Sequence, residues 1–171
     1  MLDAVHTWLI DTVIGLDLCP FARVPEARGL VHLREEGASE PAPILTRMLA
    51  EATLLDQAGE GTTLLVLPAF HGDFGHFLHL FYRAEDLLEA AGFARKVQVM
   101  AFHPDWVFEG APPEDPANAV QRSPLPLLHL IRWADVHEAI GAHKDIGQVA
   151  VRNARLLRQR AGWAVPGLDP Q

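Results

Sequence analysis

Val97-Gln-Val-Met-Ala-Phe-His-Pro-Asp-Trp106 and Arg122-Ser-Pro-Leu-Pro-Leu-Leu-His-Leu-Ile-Arg132 are the two ends of one stretch, and how they are read decides the fold. Each contains a short apolar run, and prolines 104, 112, 113, 116 and 124 interrupt the polar connection between them. Prolines at that density are incompatible with regular structure in the connection. The stretch therefore predicts two strands, Val97–Phe102 and Leu125–Arg132, joined by a long loop across their ends. A structureless loop of such length in a compact domain is usually functional or disordered. Trp106 and Phe108 predict that part of it packs.

Upstream, Thr62–Leu67 is a continuous apolar run, the pattern of a strand buried on both faces. Arg28–Arg34 alternates, as a half-buried strand does. Helical periodicity runs over residues 3–14, over Ile44–Leu55 up to Gly59, and from the N-cap Asp73 to Gly92. Downstream, Asp135-x-x-Glu138 and Asp145-x-x-Gln148 announce two closing helices, ending near Ala142 and Arg160. Residues 163–171 read as a C-terminal tail. The order predicts a single α/β domain over residues 1–162, with a mixed, mostly parallel sheet of about four strands covered by helices. Right-handed crossovers would make the first three strands parallel, with the fourth antiparallel to the third.

At 171 residues the length suits one domain. Asp and Glu number 22 against 14 Lys and Arg, a formal charge of −8. That balance lacks the basic footprint of a general nucleic-acid binder. No apolar run approaches the roughly 18 residues of a membrane span, and the N-terminus lacks the positive region of a signal peptide. Cys19 is the one cysteine, so there is no internal disulfide and a cytoplasmic protein is expected. The oligomeric state is not legible.

His103 ends the third predicted strand, the edge where open α/β sheets place ligands. An imidazole there suits general acid–base catalysis, oriented by Asp105 or His129. Arg122 and Arg132, with Asn118, would hold an anionic small molecule. Each has a plainer reading. Both histidines sit among apolar neighbours, as packed core histidines do, and the arginines suit structural pairs with Asp105, Glu109 or Asp115. Asp115-Pro-Ala-Asn118 and Ser123-Pro124 suit turns built by side-chain bonds to backbone. Ser123 also lacks the Gly-x-Ser-x-Gly elbow of a nucleophile.

His71, His76 and His79, and His103-Pro-Asp105, match no metal signature, and no metal is predicted. Cys19-Pro-Phe-Ala22 resembles the opening of glutaredoxin-like domains, where a helix N-terminus lowers the thiol pKa. Here helical periodicity precedes the motif where a strand would be expected, and no second cysteine follows. No dinucleotide-binding or phosphate-binding glycine loop is present, so no cofactor is named.

Together, Gly15-Leu-Asp-Leu-Cys-Pro-Phe-Ala22, Phe102-His-Pro with Phe108 and Gly110, Asp115-Pro-Ala-Asn118, Arg122-Ser-Pro-Leu-Pro and Leu128-His-Leu with Arg132 form a specific pattern. Over roughly residues 3–160 the chain resembles an uncharacterised bacterial family, domain of unknown function 1415. The resemblance implies that the Cys-Pro-Phe, His-Pro and Arg-Ser-Pro segments belong to one pattern, without an activity attached. The His71, His76 and His79 group lies outside it. Three readings follow: a small enzyme acting on an anionic molecule through His103, a non-catalytic ligand-binding or interaction module, and a thiol redox protein using Cys19.

Overall fold

The most continuously apolar runs become the middle of a sheet, and the more alternating ones become its edges. The computed structural model describes residues 1–70, 72–142 and 146–162. Its strands are β1 (Val31–Glu35), β2 (Thr62–Val66), β3 (Val97–Phe102) and β4 (Leu127–Arg132), in the order β1-β2-β4-β3. Every residue of β2 is buried, as are four of six in β4, whereas β3 alternates buried and half-buried. A central strand has side chains covered on both faces.

β1 pairs with β2 in parallel, while β4 pairs antiparallel with both β2 and β3. The sheet is mixed, as expected, but not mostly parallel, since only one pairing is parallel. β1, β2 and β3 do share a direction, and β4 is antiparallel to β3. The correction is the slot: β4 enters between β2 and β3. With residues 103–126 returning the chain across the sheet end, an antiparallel neighbour becomes available to β3 without a helical crossover.

One face is covered by α3 (Pro41–Ala58) and α4 (Phe74–Ala90). Ile44, Met48, Leu55, Phe77, Leu80 and Leu88 pack there against Leu65, Val97, Val99, Ala101, Leu128 and Leu130. Gly59 at φ 72° ends α3 in the left-handed conformation that glycine adopts without penalty. The Asp73 side chain accepts the His76 amide and caps α4, as its position predicts.

The opposite face carries α1 (Leu2–Trp8), whose Val5 packs with Leu9 on Leu64, Val66 and Leu127. The helix predicted over 3–14 is present, but Leu9–Ile14 is wound as a π-helix. Its wider turn shows in Gly15 N–H donating to Ile10 O at 2.9 Å and Leu18 N–H to Val13 O at 2.8 Å. A Cβ on Gly15 would lie 2.3 Å from the Asp11 carbonyl oxygen, so that glycine is sterically required.

A short helix not read from the sequence, α2 (Arg23–Ala27), leads into β1. The Pro-rich connection also holds a 3-10 helix, Pro116–Val120, where no regular structure was expected, because Asp115 caps it and Pro116 pre-sets its first turn. α5 (Trp133–Ala142) follows β4 directly, and α6 (Val149–Arg160) closes the described chain. His71, Asp145 and the predicted tail 163–171 lie outside the described residues. Among those described, no helix is long and apolar enough to cross a membrane.

Candidate functional site

The loop between β3 and β4 is rich in polar side chains, and most bond to the loop itself. Asn118, fully buried, accepts the Phe108 amide at 3.0 Å and donates to the carbonyls of Pro112 and Pro113 at 3.0 and 3.3 Å. Arg122 donates to Trp106 O at 2.9 Å and Pro113 O at 2.8 Å. Ser123 Oγ donates to Leu125 O at 2.6 Å, and Gln121 Nε2 to Ala101 O at 2.8 Å. Proline-rich backbone has few N–H donors, so its carbonyls take side-chain donors instead. Among the described residues only the Trp106 indole N–H is a buried side-chain polar atom without a partner.

The expected grouping of His103 with Asp105, His129, Arg122, Arg132 and Asn118 therefore does not form. Asn118 and Arg122 hold carbonyls rather than open to a ligand. Arg132, beyond the loop, donates to Gly59 O and pairs with Asp135 at 3.1 Å. Asp105 touches His103 through its amide, which donates to Nδ1 at 3.1 Å, while its carboxylate is 82% exposed and 4.0 Å from that nitrogen.

The two histidines lie on opposite faces of the sheet. His103 continues the Val97, Val99, Ala101 face and packs its ring against Phe74 and Phe77 at 5.4 and 4.9 Å between centroids. Burial lowers its pKa, against the weaker pull of Asp105. His129 is opposite Met100, on the face carrying Phe102 and Leu127. It cannot orient His103 through the sheet.

His129 instead faces a cavity of about 80 Å³ between the outer face of the sheet, the π-helix and the Cys-Pro-Phe turn. Trp8, Leu9, Phe21, Met100 and Phe102 form much of the wall, with Cys19, Thr62 and His129 among them. Thr62 Oγ1 is 2.7 Å from Leu130 O and 2.6 Å from His129 Nε2. With its one proton on Leu130 O, the hydroxyl accepts from Nε2–H, leaving Nδ1 unprotonated. Burial pushes the His129 pKa down to about 4, so the ring is neutral at pH 7. Burial also raises the Cys19 thiol, outweighing the amides of Phe21 and Ala22 that bond to it. The thiol and the imidazole thus share an apolar cavity in uncharged forms.

This cavity is held by residues that local sequence did not single out. Asp17 has φ 54°, a left-handed conformation that Asp tolerates better than most residues. Arg152 on α6 donates to its carboxylate at 2.7 Å and also to its carbonyl. Asn153, buried beside it, donates to Leu18 O at 2.6 Å. One turn further, Arg158 holds both Asp115 oxygens at 2.9 and 2.5 Å, keeping that carboxyl below its usual range. α6 therefore ties the Cys19 turn to the Pro-rich loop. The signal available was Asn153, a polar residue one turn before Leu157 on the buried face of an amphipathic helix. Thr62, read only as a strand former, carried no separate signal.

Of the histidines weighed for metal binding, 76 and 79 border an open groove on α4 with Asp73 and Arg83. Among the described residues, no group of three or more His, Cys, Asp or Glu side chains is arranged to hold a metal ion.

Of the pattern read in the sequence, Gly15 lies at the π-turn, Cys19, Phe21 and His129 in the cavity wall, and Asp115 under α6, while His103 lies on the other face and Asn118, Arg122 and Ser123 brace the Pro-rich loop. A family model described as "Protein of unknown function (DUF1415)" matches residues 1–164. No curated protein and no solved structure matches the chain. On a match spanning nearly all of its length, the chain belongs to the DUF1415 family.

Proposed function

We propose that this protein is a ligand-binding module whose ligand inserts an apolar group, a short alkyl chain or a single ring, into the cavity between Cys19 and His129. The observation that carries the reading is the cavity wall: three separated segments, around Trp8, Cys19 and His129, close on one apolar space. Thr62 Oγ1 and His129 Nε2 already bond to each other, Thr62 also to Leu130 O and the Cys19 thiol to the turn amides, which leaves His129 Nδ1 as an acceptor beside the apolar wall. Such spaces stay dry and accept apolar guests of matching size. The π-helix on its wall supports the reading, because such turns are frequent at functional sites.

Catalysis by acid–base chemistry is less well supported. His103, the acid–base candidate, packs its ring against Phe74 and Phe77 with Nδ1 bonded to the Asp105 amide, and the arginines proposed for an anion hold carbonyls. Titration with hexanol and phenol, followed by melting temperature and by amide NMR shifts, tests the binding reading. Stabilisation with shifts at Phe21, Thr62 and His129 is expected. Absence of both effects for every apolar probe ends the proposal.

A second reading, thiol chemistry at Cys19, is favoured by one observation: Cys19 and His129 line the same cavity. It requires a thiolate that burial disfavours. Iodoacetamide alkylation with an apparent pKa well below the ordinary 8.5 would favour this reading over simple binding; a profile at 8.5 or above would remove it.

A further inference from the structure

His129 brings one unused polar atom to the cavity. Its Nε2–H donates to Thr62 Oγ1, and Thr62 places its own proton on Leu130 O. Nδ1 is then an unprotonated acceptor, and no described residue donates to it. The Cys19 thiol shares the cavity wall, yet its bonds are with the amides of Phe21 and Ala22 and none reaches the imidazole.

Strand pairing decides where that atom points. Thr62 is on β2, on one side of β4, and β3 lies on the other. The two imidazole nitrogens point in widely divergent directions, so a ring held by Thr62 through Nε2 turns Nδ1 away from β2. On the β3 side its neighbours are Met100, directly opposite in register, and Phe102, whose ring centroid is 6.3 Å from the imidazole. Both line the cavity, and neither side chain has a proton to donate.

We propose that the ligand of this cavity is neutral and carries, on its apolar group, a hydroxyl or N–H that donates to His129 Nδ1. The inference rests on the binding reading above and adds the hydrogen-bonding character of the ligand. A buried acceptor without a donor is unfavourable, and a ligand that donates removes that defect while its carbon skeleton fills the apolar space. A site built to take a donor also discriminates strongly against an analogue that lacks one. Charged ligands are disfavoured by the same surroundings. No Asp, Glu, Lys or Arg lines the cavity, so a carboxylate or an ammonium would enter without a counter-charge.

The test compares phenol with toluene, rings of similar size that differ in the hydroxyl, by calorimetric titration of the full-length protein at pH 7. Phenol is expected to bind about tenfold more tightly. In a cavity without an acceptor the hydroxyl loses its bonds to water and the order is reversed. Toluene binding as tightly as phenol, or more tightly, therefore overturns the donor while leaving the apolar cavity standing. Failure of both rings and of hexanol overturns the binding reading itself. His129→Leu should reverse the order in favour of toluene, and a phenol preference that survives the substitution overturns the role of Nδ1. A measurement on the unsubstituted protein makes the test independent of that variant's folding. The nitrogen-15 resonance of His129 Nδ1 should move upfield on saturation with phenol and stay in place with toluene; a resonance unmoved by bound phenol overturns the proposal.

Discussion

The Pro-rich loop 103–126 and the outer face beneath α1 invert the usual relation between motifs and sites. The loop is dense with chemically capable side chains, yet Asn118, Arg122 and Ser123 bond to its own backbone. The outer face has few such groups, yet it encloses the cavity. The difference teaches that polar density in a loop short of amide donors can reflect carbonyl satisfaction alone. A void lined by apolar side chains is stronger evidence of a binding place than a cluster of bonded polar ones.

That contrast makes substitutions in the two regions separable. The largest effect is expected at Asn118→Ala, which strands the Phe108 amide in the buried loop, removes one of the two donors at each of the Pro112 and Pro113 carbonyls and leaves a void in place of a fully buried side chain. A loss of about 3 kcal/mol in denaturant unfolding, with hexanol binding intact in the folded fraction, is predicted. A loss below about 1 kcal/mol would mean that the loop's bonds are replaceable by water and weaken the contrast.

Next comes the pH dependence of His129. Its folded pKa, about 4, lies below the ordinary 6.5, so the unfolded state takes up the proton first as pH falls. At neutral pH and above the group contributes no pH dependence; between about 6.5 and 4 it favours unfolding by up to on the order of 3 kcal/mol. His129→Leu should flatten the stability profile in that window while leaving Thr62 its bond to Leu130 O. An unchanged slope would place the acid sensitivity elsewhere.

Asn153→Ala removes the buried bond to Leu18 O and should cost about 2 kcal/mol. Because it loosens the Cys19 turn, iodoacetamide should alkylate Cys19 faster than in the parent protein under native conditions. An equal rate would show that α6 does not hold the cavity closed. The smallest stability effect is expected for Ala22→Leu, within about 1 kcal/mol either way, since a void is available to the larger side chain. It should nevertheless abolish hexanol binding, and retained binding would locate the probe elsewhere.

Much of the framework was legible. Asp73 as a cap, Gly59 as a stop and the strand at Val97–Phe102 follow from local rules, and the structure bears them out. The run Leu127-Leu-His-Leu-Ile131 even carried the mark of a central strand, because it is apolar at both parities. The π-winding at Leu9–Ile14 was not legible in the same way: its residues repeat helically, and only Gly15 hints that a neighbouring carbonyl comes too close for a Cβ. Among the site residues, alternation put His103 with Val99 and His129 with Leu127 correctly within their own strands.

Which of those faces coincide depends on register, and register is a property of two strands together. The pairing of Met100 with His129 sends the histidine side chains to opposite sides of the sheet, and no pattern inside either strand could decide that. The cavity is equally non-local, built from Trp8, Cys19, Thr62 and His129, and steadied by Arg152. The amino-acid sequence by itself determined the four strands, the longer helices, their apolar faces and the family, because these depend on neighbours along the chain. Only the tertiary structure decided the slot of β4, the bonding of the Pro-rich loop and the existence of the cavity, because those depend on segments that meet only once the sheet is paired.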